Sequence, residues 1–124
     1  MSSAMRGARF VVHEHHAIRA GLHYDLRLEW RGTLRSWAFR HKPPLKRGVK
    51  RLGIPQPNHE LSFLDFEGEI ERGYGKGVLK IWDRGTYKLL EDRGDRLVVY
   101  FEGSKLRGVY VILKWREGWL LFRC

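Results

Sequence analysis

The chain has 124 residues, enough for one domain with a modest core that buries roughly 65 to 70% of the surface of its unfolded form, and too few for two independent domains. Hydrophobic residues make up 43%, including five Trp, five Tyr and six Phe, which argues against a chain that is disordered throughout, while 24 Lys and Arg against 14 Asp and Glu leave a net charge of +10, a field that attracts polyanions and nucleic acid first among them. The lone Cys124 excludes a disulfide framework and a cysteine zinc site and makes a reducing, cytoplasmic location the expectation; Met1 to Gly7 lacks the apolar stretch of a signal peptide, no window approaches the roughly 20 apolar residues of a membrane span, and residues 1–8 read as a flexible N-terminal tail.

Beyond that tail, aromatic and β-branched runs punctuated by Gly or Asp predict nine short strands. In chain order they are Phe10 to His15, His23 to Trp30, Thr33 to Arg40, Phe66 to Ile70, Gly77 to Trp82, Thr86 to Glu91, Arg96 to Glu102, Val109 to Trp115 and Trp119 to Arg123. Turn chemistry at Arg31-Gly32, Asp83-Arg84-Gly85, Arg93-Gly94-Asp95 and Glu117-Gly118 favours hairpins between sequential antiparallel strands. No helical stripe stands out beyond one short turn over His59 to Asp65, so parallel βαβ units are excluded and an all-β, mainly antiparallel, closed or nearly closed small barrel with little helix follows. Between Lys42 and Asn58 the strand pattern lapses. Lys42 to Arg51 combines Pro43, Pro44 and Gly48 with five positive charges, so this stretch reads as a loop whose Lys46, Arg47 and Lys50 face an anionic substrate. The five tryptophans lie inside apolar strand patterns and read as core.

The segment Leu22 to Trp30 alternates strictly. An extended chain therefore puts His23, Asp25, Arg27 and Glu29 on one face and Leu22, Tyr24, Leu26, Leu28 and Trp30 on the other, with polar groups about 6 to 7 Å apart. An ordinary solvated face would mix Lys, Glu, Thr and Ser. A row of imidazole, carboxylate and guanidinium can hold a metal and a phosphate together. His13-Glu14-His15-His16 lies just upstream, so four of the six histidines fall between positions 13 and 23. Two weaker patterns carry no such chemistry: nothing places a substrate between Glu67 and Glu69, and Gly73-x-Gly75-x-Gly77 lacks the strand-to-helix context of a nucleotide-binding loop.

Taken in order, Phe10-Val11-Val12-His13-Glu14-His15, Leu22-His23-Tyr24-Asp25-Leu26-Arg27-Leu28-Glu29, Ser36-Trp37-Ala38, Lys50-Arg51-Leu52, His59, Phe66-Glu67-Gly68, Tyr74-Gly75 and Ile81-Trp82-Asp83-Arg84-Gly85-Thr86 resemble the phosphoesterase module of bacterial DNA ligase D nearly end to end. With no ligase or polymerase segment present, the chain is similar to the free-standing form of that module. The resemblance implies a small barrel that trims damaged DNA 3′ ends. Such enzymes remove a 3′-terminal ribonucleoside by phosphodiesterase action and then a 3′-phosphate by phosphomonoesterase action, with manganese or a similar divalent ion, and leave a 3′-hydroxyl for a ligase or polymerase partner.

Carried over, the family's metal ligands fall on His15, His23 and Asp25. Seven residues separate His15 from His23, two more than the family pattern, with Ala20-Gly21 as the insertion, so His16 is a rival for the first position; His15 keeps the offset from Phe10-Val11-Val12. Two imidazoles and one carboxylate suit Mn²⁺, Zn²⁺ or Co²⁺ and leave positions open for water and a phosphate oxygen. Arg27 would grip a nonbridging oxygen, His59 would protonate the leaving oxygen or neutralise its charge, and Arg51 corresponds to a family phosphate ligand. His41 stands where the family more often has lysine, Phe63 where a phosphate-contacting tyrosine is expected and Pro57 where an acidic residue often lies. The reading is a metal-dependent 3′-phosphoesterase, monomeric and away from membranes, without a covalent nucleophile. A non-catalytic nucleic-acid-binding barrel and a phosphoesterase for RNA or small nucleotides are the competing readings.

Overall fold

The structure, a computed structural model, describes residues 8–124. Nine strands follow one another: β1 (Arg9–Ala17), β2 (Gly21–Trp30), β3 (Thr33–Phe39), β4 (Lys50–His59), β5 (Gly68–Ile70), β6 (Gly77–Asp92), β7 (Arg96–Gly103), β8 (Arg107–Trp115) and β9 (Gly118–Arg123), with a 3₁₀ turn at Leu61–Asp65. All named pairings are antiparallel, in the order β1-β2-β3-β4-β9-β8-β7-β6-β5, and β1 also pairs with β6. Eight strands thus close a barrel, and β5 is an appendage on β6. Closure removes the unpaired edges that a small all-β body must otherwise protect. No helix of the described residues is long and apolar enough to cross a membrane.

The barrel interior is filled by the inward members of each alternating strand, among them Phe10, Val12, Tyr24, Leu26, Leu28, Trp37, Phe39, Phe101, Tyr110 and Leu121. Arg35 enters this interior beneath a set of indoles, its guanidinium 4.9, 5.1 and 5.2 Å from the rings of Trp30, Trp37 and Trp119. Trp115 departs from the expected core role: it is exposed at the β8–β9 hairpin and stacks with Arg116 at 4.4 Å. A second, smaller cluster lies on the outer face. Val11 and Leu34 pack there against Leu64 of the 3₁₀ turn, with Leu61, Phe63 and Ile81 around them. This clamp fixes the 3₁₀ turn over the outside of β1–β3 and shelters what lies beside it.

Three sequence expectations need correction. The strand pattern lapses in the sequence between Lys42 and Asn58, with Lys42 to Arg51 read as a loop, yet β4 runs from Lys50 to His59 and pairs with β9 over Lys50–Gly53 and with β3 from Gly53 to His59. Its Pro55 and Pro57 lie in the half paired on one side only, where a missing N–H is tolerated. Gly53 suits the inner face because a Cβ there would strike the Phe39 ring. Asp83-Arg84-Gly85 is not a hairpin turn either; it lies within the continuous β6. The buried Asp83 carboxylate accepts the backbone N–H groups of Ser104, Lys105 and Leu106 at 2.7–3.0 Å and so caps the β7–β8 turn from a distance, and a Cβ on Gly85 would collide with the Glu102 carbonyl. Finally, Ala8 is not tail: it packs partly buried on the core and its carbonyl accepts Tyr87 N–H at 3.0 Å, while the rest of the expected tail lies outside the described residues.

Candidate metal centre

The alternation of β1 and β2 delivers the site. With Phe10, Val12, Tyr24 and Leu26 turned inward, His13, His15, His23, Asp25 and Arg27 share the outer face. Cross-strand register sets His15 opposite His23 and His13 opposite Asp25. Ala17 pairs with Gly21 at the hairpin tip, and the antiparallel register from there keeps His15 on the same face as His23. His16, the rival, points its Nε2 to Glu14 at 2.6 Å and is exposed.

His15, His23 and Asp25 bring their donor atoms within 4.8 Å of one another. Metal–ligand bonds of about 2.0–2.2 Å hold donors no more than about 4.4 Å apart, so a small side-chain adjustment would bring these three onto one ion. Tautomers sharpen the fit. His15 Nε2 lies 2.8 Å from the Gly75 carbonyl and His23 Nδ1 lies 3.2 Å from the Gly21 carbonyl. A carbonyl only accepts, so those nitrogens carry the protons. The remaining nitrogens, Nδ1 of His15 and Nε2 of His23, face Asp25 Oδ2 and Oδ1 at 3.1 and 3.3 Å. In the neutral rings these are lone pairs opposing a carboxylate, and a cation between them resolves both contacts at once. A proton on a ring is the other resolution, and the hydrogen bond to Asp25, opposed by burial, accordingly raises the pKa of His23. Burial resists ionisation of Asp25, but the two imidazoles and the Arg27 charge outweigh it and hold the carboxyl well below its usual range.

Arg27 is 2% exposed and saturated on one side. Its Nε donates to His13 Nδ1 at 3.1 Å, Nη1 to Ser36 Oγ at 3.3 Å and Nη2 to Asp25 Oδ2 at 3.2 Å, while Phe63 stacks 5.5 Å from the guanidinium carbon. Three of five N–H groups are used, leaving one on each Nη for an oxyanion. His13 completes the relay by donating Nε2–H to the Phe66 carbonyl at 2.9 Å. Burial, then the Arg27 charge, lowers its pKa to about 4, so it stays neutral and keeps Nδ1 as an acceptor for Arg27.

These groups open into a cavity of about 840 Å³. His59 lines it, donating Nδ1–H to the Pro57 carbonyl at 2.9 Å and meeting Phe63 edge-on at 5.1 Å; burial, then Arg27, lowers its pKa. His41 lines it as well. The structure does not bring the other expected binders there. Arg51 lies on the face of β4 opposite the cavity-lining Leu52, Ile54 and Gln56 and gives its Nε–H to the Lys42 carbonyl at 3.1 Å. Lys46 and Arg47 are exposed outside the cavity, and Lys50 sits over the Phe122 ring at 5.4 Å. Sequence reasoning missed Arg40, the only Lys or Arg besides Arg27 in the lining among the described residues, together with Ser36, Gln56 and Gly75. The signal was available for two of them: Ser36 and Arg40 share the parity of Ala38, which pairs with Asp25.

The family model of the DNA ligase D 3′-phosphoesterase domain matches residues 13–114. The chain belongs to this family. It is 41% identical over 112 residues to the multifunctional non-homologous end joining protein LigD of Pseudomonas aeruginosa, a match covering 86% of this chain and 13% of that protein. It is 38% identical over 123 residues to the multifunctional non-homologous end joining DNA repair protein LigD of Mycobacterium tuberculosis, covering 94% and 16%, and 35% identical over 128 residues to LigD of Mycolicibacterium smegmatis, covering 93% and 16%. The chain thus spans about a seventh of the length of these relatives.

Proposed function

We propose that this chain is a divalent-metal-dependent phosphoesterase that heals DNA 3′ ends, removing a 3′-terminal ribonucleoside and then a 3′-phosphate to leave a 3′-hydroxyl for a ligase or polymerase. The observation that carries the reading is the pair of imidazole lone pairs converging with a carboxylate beside a buried, half-saturated arginine. His15, His23 and Asp25 would hold the ion, Mn²⁺ first, with Zn²⁺ and Co²⁺ also suited to the donor set. A bound divalent ion would supply Lewis acidity at a phosphoryl oxygen and an acidified water.

The rest is the work of this chain's residues. Arg27, held flat by His13, Ser36 and Asp25, presents its two remaining N–H groups to a nonbridging oxygen at little further cost in ordering. His59, whose Nδ1–H is committed to Pro57, has Nε2 left for the ester oxygen; with its pKa lowered it is mostly neutral at pH 7, and a protonated fraction that shrinks with rising pH would serve the leaving group. Arg40 and His41 at the end of β3 would hold the neighbouring phosphate. Lys46, Arg47, Lys50 and Arg51 would act on the surrounding backbone charge, not on the scissile group.

A labelled primer-template ending in one ribonucleotide, incubated with and without Mn²⁺, tests the proposal. Metal-dependent loss of the ribonucleoside followed by loss of phosphate is expected. An inert DNA end alongside turnover of RNA or free nucleotides would move the activity to another substrate, and binding without turnover of any of them would leave a nucleic-acid-binding barrel.

A further inference from the structure

The cavity beside the ligands is larger than a phosphate requires; its volume lies within the roughly 300–1,000 Å³ of clefts that take whole organic ligands. One wall is also apolar where an exposed strand would carry polar groups. Leu52 and Ile54 are 48% and 47% exposed, and with Gly53 pressed against Phe39 they face outward into the cavity. Register fixes their place: Asp25 pairs with Ala38, and Ala38 pairs with Ile54. Two strand spacings, about 10 Å, therefore separate the Asp25 backbone from that of Ile54, and the small Ala38 leaves a hollow between them. Leu22 adds a third exposed apolar side chain to the lining.

We infer that Leu52 and Ile54, above the Ala38 hollow, form the platform for the base of the departing 3′-terminal nucleoside. The inference rests on the phosphoesterase reading of the same site and names what holds its leaving group. Charge selects the occupant. A continuing DNA strand carries phosphates and needs cations along its path, yet among the described residues Arg27 and Arg40 are the only Lys or Arg in the lining. The leaving nucleoside is uncharged, and every base offers an apolar face, so the platform accepts all four bases alike. No side-chain hydrogen-bond code is built into Leu52 and Ile54 to discriminate among them.

Steady-state kinetics on two otherwise identical primer-templates, one ending in a ribonucleoside and one in a 3′-phosphate, test the platform, because the second substrate has no leaving nucleoside. For a Leu52→Ser/Ile54→Ser variant, kcat/KM on the ribonucleoside end falls roughly tenfold more than on the phosphate end, and Leu52→Met/Ile54→Leu restores it. Wild-type protein attacks a terminal abasic ribose about as slowly as the serine variant attacks the ribonucleoside. Equal losses on both ends, or no loss on either, overturn the platform while the wild-type turnover leaves the phosphoesterase reading standing. Wild-type protein inert on both ends refutes that reading and the platform with it.

Discussion

Two regions of this protein carry concentrated polar character, and they are built in opposite ways. On the outer face of β1–β3, His13, His15, Asp25, Arg27 and Ser36 are all nearly or fully buried, and each side chain is tied to at least one other group. Between β3 and β4, Lys42, Lys46, Arg47 and Lys50 are exposed, and Lys50 and Arg51 find only a phenyl ring and a backbone carbonyl. The first arrangement is costly to desolvate and persists only because its partners over-determine it. The second costs almost nothing. Buried, mutually oriented polar groups are the stronger physical pointer to chemistry, and on that ground the proposed site lies on β1–β3 and not in the basic loop.

Removing a group from the β1–β2 face should have the largest effect. Asp25→Ala or His23→Ala is expected to cut turnover by about a hundredfold or more and to abolish divalent-ion binding with the barrel intact by circular dichroism. Retained turnover in either variant would dissolve the distinction.

Acid should strike the buried face next. The His13 pKa is about 4 in the folded protein against 6.5 in the unfolded chain, so the stability it contributes is complete above pH 6.5 and is lost as pH falls toward 4, on the order of 3 kcal/mol in all. His23 works against this, because its raised pKa adds stability that is present below pH 6.5 and lost as pH rises. Denaturant unfolding of metal-free protein, wild type against His13→Gln, isolates the first effect: the stability difference between the two should shrink on acidification from pH 6.5 to 4. A difference independent of pH would mean that His13 is not held neutral.

Smaller effects belong to the cavity rim and then to the loop. Arg40→Ala should lower kcat/KM on a DNA end by about tenfold, as the loss of one charged phosphate contact, measured under single-turnover conditions. Neutralising Lys46 and Arg47 should leave turnover of a small phosphate ester near wild type and flatten the salt dependence of DNA binding by a slope of about 2. Arg51→Ala should group with this pair, given its place on the far face of β4. An Arg51→Ala variant as damaged as Asp25→Ala would put the loop back into the site.

Much of this was legible because period-2 alternation is a local property. Leu22 to Trp30 alone sorts His23, Asp25 and Arg27 from Tyr24, Leu26 and Leu28, and closure of the barrel follows from many such strands with no helices to cover them. What resisted reading is non-local. Asp83-Arg84-Gly85 has turn chemistry, yet Asp83 spends its carboxylate on a turn about twenty residues away. The start of β4 looked like a loop because it is continuous with the Pro43, Pro44 and Gly48 segment and its charges, and only the pairing pattern shows that Lys50 onward is strand and that Pro55 and Pro57 are tolerated in it. The partners of the clustered histidines His13, His15 and His23, the carbonyls of Phe66, Gly75 and Gly21, carry no side-chain signature at all.

Whether β1 and β2 present a divalent-ion site through His15, not His16, is read by Mn²⁺ titration followed by loss of the free-ion electron paramagnetic resonance signal. Wild-type protein and His16→Ala should each bind one Mn²⁺ per chain, and His15→Ala should bind none in the same range. Stoichiometric binding by His15→Ala, or its loss in His16→Ala alone, would contradict the site described here.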